Sequence, residues 1–121
     1  MKLPSNELLS VVLHKDITYV YGLTSNIILY NIKYLPEPYE INIYELAYLC
    51  KAWSFLHWYD IESSVEMESC GDDDYKFIGF AYLGDMKNKE QVLDKREYKE
   101  FIAPSEPEAI FAACEWILNE V

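Results

Sequence analysis

Cationic side chains are scarce in this chain. Lysine and arginine number 10 against 21 aspartates and glutamates, Arg96 is the single arginine, and the net charge is −11. So acidic a chain is repelled by phosphate backbones and anionic lipid, so neither direct nucleic-acid binding nor membrane association is expected. The nearest approach to a basic stripe, Lys87 to Lys99, interleaves its five basic residues with Glu90, Asp94 and Glu97. It reads as a solvated loop rather than a phosphate track. Glycine is sparse too. Gly22, Gly71, Gly79 and Gly84 are too scattered to cradle a phosphate, and no P-loop or G-x-G-x-x-G fingerprint occurs. No serine occupies a G-x-S-x-G elbow.

The three cysteines, Cys50, Cys70 and Cys114, are odd in number and show no C-x-x-C spacing. A disulfide framework needs pairs, so free thiols in a reducing compartment are expected. No apolar run approaches the ~18 residues of a membrane span. The start, Met1 to Glu7, leads into an apolar cluster that Ser10 breaks and His14-Lys15-Asp16 ends, unlike a secretory signal. From these absences a cytoplasmic protein with no membrane partner is expected.

What is present is a core. Apolar residues make up 51% and aromatics 16% of 121 residues, which excludes intrinsic disorder and suits one domain. Ser5 or Asn6 caps a short helix to about Leu13, with Leu8, Leu9, Val12 and Leu13 on its apolar side. Ile17 to Tyr21 and Asn26 to Tyr34 read as a hairpin, ended by Pro36 and Pro38. Asn42 and Glu45 form a capping box for a helix running to Trp58 or Tyr59, with Leu46, Leu49, Cys50, Trp53, Leu56 and His57 on one face. Ile61 to Ser69 alternates, placing Val65 and Met67 on one face and Glu62, Glu66 and Glu68 on the other. Cys70 to Asp74 turns the chain, and Tyr75 to Leu83 reads as a central strand. Tyr98 to Ala103 is a last strand. Ser105-Glu106-Pro107-Glu108 then caps a closing helix whose inner stripe is Ala109, Ile110, Ala113, Trp116 and Ile117.

The order α-β-β-α-β-β-β-α predicts an α+β fold: a small antiparallel β-sheet packed with helices in a layered sandwich. The single domain spans 1–121, with an N-terminal helix and hairpin over 1–40 and a helix-hairpin-strand-helix unit over 42–121. No internal repeat is apparent.

Candidate chemistry is thin. Asp72, Asp73 and Asp74, with Glu66 and Glu68 nearby, offer oxygens to a hard cation, but the EF-hand ligand pattern is missing. Adjacent aspartates in a turn point apart, so a solvated hairpin tip is the expectation. Cys50 and His57 are about two helical turns apart, too far for a direct hydrogen bond or a nucleophile–base pair. No catalytic, cofactor-binding or metal-ligating residue is assigned, and no cofactor is expected. The acidic excess is more informative. From Pro36 to Asp74, ten carboxylates face Lys51 alone. Such a field attracts a basic protein and speeds encounter; it also serves solubility. Glu62, Glu66, Glu68, Asp72, Asp73 and Asp74 are the candidate partner-binding residues. The 11 tyrosines cannot all be buried in so small a domain, and exposed tyrosine beside carboxylates suits a protein-binding surface.

Three segments carry a resemblance: Leu3-Pro4-Ser5-Asn6-Glu7-Leu8-Leu9; Asn42 to Ala47 running into Cys50-Lys51-Ala52-Trp53; and Glu106 to Phe111 with Cys114 to Leu118. Together they resemble small bacteriophage or prophage proteins of the phage ABA-sandwich type. The resemblance implies a phage-encoded accessory protein of no established biochemical role, acting in a bacterial host cell. It supplies no catalytic residues, and the chain departs from its pattern at Gly84 to Glu97. The expected function is a non-catalytic acidic protein–protein interaction module acting on a host or phage protein, with a basic protein the partner its charge would favour. Alternatives are an inhibitor of a nucleic-acid-binding defence enzyme through phosphate mimicry, a small metal-dependent enzyme using the acidic turn, and a homo-oligomeric structural protein.

Overall fold

The computed structural model describes residues 1–71, 74–87 and 98–121. In chain order the elements are α1 (Asn6–Leu13), β1 (Ile17–Gly22), β2 (Ile27–Ile32), β3 (Tyr39–Asn42), α2 (Ile43–Leu56), β4 (Tyr59–Gly71), β5 (Asp74–Asp85), β6 (Tyr98–Ala103) and α3 (Glu106–Glu120). Two three-stranded antiparallel sheets form, in the orders β1-β2-β3 and β4-β5-β6. With three helices packed on them this is an α+β sandwich. A three-stranded meander followed by a helix therefore occurs twice, although the two halves share no sequence repeat.

Local chemistry starts each helix where the caps predict. The Ser5 hydroxyl accepts from the Leu8 amide at 3.1 Å, Asn42 Oδ1 from the Tyr44 amide at 2.8 Å, and the Ser105 hydroxyl from the Glu108 amide at 3.3 Å. Each bond satisfies an amide that has no partner within its helix. The second helix is shorter than expected. It ends at Leu56, because His57 caps it and Trp58 takes a left-handed conformation with φ of 66° that turns the chain into β4. A bulky residue seldom adopts this conformation.

One strand was not expected. Residues Tyr39–Asn42 pair with Ile27–Tyr30 as β3, completing the first sheet. Its four residues follow two prolines and run straight into the helix cap, so Asn42 ends a strand and begins a helix. β2 is correspondingly shorter than the expected run, since Tyr34 lies in the left-handed region beyond its end. β5 is central in its sheet, as its apolar sequence predicts.

The buried residues form one continuous cluster reaching from Leu8 and Leu9 of α1 through Ile28, Leu46, Cys50 and Trp53 to Ala81, Leu83, Phe111 and Ile117. α2 touches β3 on one side and β4 on the other, and α3 lies over β4, β5 and β6. Ser5 ties the two ends of the helical layer together: its amide and hydroxyl donate to the Glu115 carboxylate at 2.7 and 3.0 Å. Gly79 sets where α3 begins. A Cβ at this position would overlap the Ser105 carbonyl and the Glu106 amide. The N-terminus of α3 thus rests directly on the β5 backbone, and the strands continue beyond it. Among the described residues no helix is long and apolar enough to cross a membrane.

Candidate interaction surface

The β4–β5 hairpin is long, with strands of 13 and 12 residues, and α3 covers only part of it. Antiparallel pairing fixes its two faces. Ile61 lies opposite Leu83, Ser63 opposite Ala81, Val65 opposite Gly79, Met67 opposite Phe77, and Ser69 opposite Tyr75. Directly opposed residues share a face, so these ten form one surface. Its proximal part is core: Ile61 is 7% exposed and Ala81 fully buried. Past Gly79 the same surface meets no helix among the described residues. There Met67 is 60% and Phe77 65% exposed, and Val65 and Tyr75 lie open beside them.

The opposite face carries the carboxylates. Glu62 pairs with Tyr82, Glu66 with Ile78 and Glu68 with Lys76. The three glutamates therefore stand in a row along one strand, as their spacing predicts. Lys76 Nζ lies 3.9 Å from Glu68 Oε2 in an exposed pair of little energetic weight. Among the described residues Glu62 and Glu66 have no cationic partner. Asp74 sits apart from the row, opposite Gly71, whose φ is 136°. Asp72 and Asp73 lie outside the described residues. Between the carboxylates, Phe80 and Tyr82 stack with ring centroids 6.2 Å apart. Desolvation first, and then the charges of Glu100 and Glu66, raise the Tyr82 phenol above its ordinary value.

A second apolar surface lies on α2. Tyr44, Tyr48, Ala52 and Phe55 recur at helical spacing on its exposed side. The stripe ends at a shallow groove of about 300 Å³ lined by Phe55, Leu56, Trp58 and Met86. The sequence reading missed this groove. The helical spacing predicts Leu56 on the buried face and a helix through Trp58, but α2 ends at Leu56, which lies open, as does the left-handed Trp58.

Two of the three thiols are shut away from solvent. Cys50 and Cys114 are buried, and the Cys114 thiol donates to the Cys50 carbonyl at 3.5 Å. A side-chain hydrogen bond with Cys50, then burial, hold the Cys114 thiol far above its ordinary value, so it stays protonated. His57 packs its ring against Trp53, with centroids 4.8 Å apart, at the edge of the core. Among the described residues no three His, Cys, Asp or Glu side chains are grouped to hold a metal ion. A small pocket of about 120 Å³ under Lys2, Leu3 and Pro4 borders Glu108 and Glu115.

Comparison with family models, with curated proteins and with solved structures finds no match to this chain. The likeness to phage sandwich proteins accordingly rests on the three segments quoted above.

Proposed function

We propose that this protein is a non-catalytic protein–protein interaction module, encoded by a phage or prophage and acting on a basic protein of the bacterial host. The docking surface is the distal half of the β4–β5 hairpin. The observation that carries this reading is the pairing of two properties there: an uncovered apolar face (Val65, Met67, Tyr75, Phe77) and a row of carboxylates behind it (Glu62, Glu66, Glu68). Exposed aromatic and thioether side chains on one face are the residue types that enrich protein interfaces, and the carboxylates on the other face add a long-range field. The carboxylates steer a basic partner over distance, and the aromatic and thioether side chains supply contact area on arrival.

The test is affinity capture from bacterial lysate at low and moderate salt, run in parallel with M67S/F77S and with E62Q/E66Q/E68Q. A protein retained by the parent chain, lost with the first variant and released earlier by salt with the second supports the reading. Capture indifferent to both variants overturns it. The linear array of glutamates favours one narrower version, in which the chain occupies the nucleic-acid groove of a defence enzyme. In that case duplex DNA competes with this protein for the captured partner, and failure to compete excludes the version.

A further inference from the structure

The free edge of β4 deepens that reading, on which the following rests. Among the described residues β4 is an edge strand, since its one sheet neighbour there is β5. Which of its backbone groups face outward follows from one bond beyond the strand's start. The Met86 amide donates to the Trp58 carbonyl at 2.9 Å, and residues 58 and 86 continue the register of Tyr59 opposite Asp85. In an antiparallel pair, residues that exchange hydrogen bonds alternate with residues that do not. The even-numbered residues of β4 therefore bond to β5, and the odd-numbered ones turn their amides and carbonyls away. The Tyr59 carbonyl agrees with this assignment, because it accepts from the Ser54 hydroxyl of α2 at 3.5 Å.

Beyond α2 that outer side is uncovered. Ser63, Val65, Met67 and Ser69 present their backbone amides and carbonyls outward, and among the described residues no other backbone bonds to them. The same odd positions carry the exposed apolar side chains, and the even positions carry Glu62, Glu66 and Glu68. A bare edge of this length is a template for another strand. Its charge decides which strand. A second copy of β4 would set glutamates against glutamates, an unfavourable pairing. A strand alternating basic and apolar residues would lay its apolar side chains beside Val65 and Met67 and its cations beside the glutamates.

We propose that β4 recognises its partner by strand addition, accepting an extended segment of about six to eight residues in which lysine or arginine alternates with apolar side chains. Backbone bonds along the edge give affinity, and the two faces of β4 give selectivity.

The probe is an end-capped octapeptide of alternating lysine and valine, compared with a block peptide of the same composition. A third peptide is N-methylated at every second residue, on the edge that would meet β4. Binding is followed by titration, and exchange of individual backbone amides by NMR. The alternating peptide is expected to bind, with exchange slowed at Ser63, Val65, Met67 and Ser69. N-methylation should weaken it on the order of tenfold or more, as several backbone bonds are lost. Val65→Pro removes an outward amide without touching the β4–β5 ladder and should weaken binding similarly. Binding with unchanged exchange at those amides, or with full affinity after N-methylation, overturns strand addition and leaves the acidic docking surface standing. Absence of binding by both lysine peptides overturns the two together.

Discussion

The two ends of the β4–β5 hairpin share strands, register and alternation, yet one end is core and the other is surface. Ile61, Ala81 and Leu83 lie under α3, whereas Val65, Met67 and Phe77, on the same face, meet no helix among the described residues. What divides them is the place where α3 lands, at Gly79. Alternation decides which way a side chain points, and a distant helix decides whether it is buried. An apolar face left bare on a folded domain marks either a contact or a liability.

The comparison can be broken most forcefully at the dividing point. Gly79→Ala forces a methyl group into the backbone at the start of α3, so unfolding free energy in urea should fall by about 3 kcal/mol or more. A mild effect would mean that α3 can lift from the sheet. The two ends should also differ in sensitivity. Ile61→Ala should cost about 2–4 kcal/mol, and Met67→Ala less than about 0.5 kcal/mol in the same titration. Equal costs would erase the distinction. Ser105→Ala tests the anchoring of α3 alone, and loss of its cap bond should lower stability by about 1 kcal/mol.

The smallest effect belongs to the acidic face. The folded state holds the Tyr82 phenol above its ordinary value near 10. As pH rises through that value the unfolded chain gives up its proton first, so stability falls. Tyr82→Phe should make this alkaline loss shallower, as read from urea unfolding at about pH 9 and about pH 11. An unchanged slope would mean that the folded protein does not hold the Tyr82 phenol above its ordinary value.

Helices and hairpins were legible because their signals are local. Ser5, Asn42 and Ser105 announce their caps, and the Val65/Met67 against Glu62/Glu66/Glu68 alternation assigns both faces of β4 correctly. β3 was not legible, since four residues between a proline turn and a helix cap carry too little pattern. The division into two sheets was hidden for a related reason: strand partnership is non-local, and without β3 the first sheet is only a hairpin. The row Glu62, Glu66 and Glu68 could be read from spacing alone. The exposure of Val65, Met67, Tyr75 and Phe77 could not, because alternation reads the same whether or not a helix covers the strand. Trp58 is exposed through a backbone reversal that no residue type at that position signals.

The distribution of thiols has a practical corollary. Cys50 and Cys114 are sealed between α2 and α3, and Cys70 alone lies open, at the far end of β4. In the native protein a thiol-directed fluorophore or spin label would attach at one place, the end of the proposed docking strand. The chain thus carries its own reporter position, and association at the hairpin can be followed without engineering a single residue.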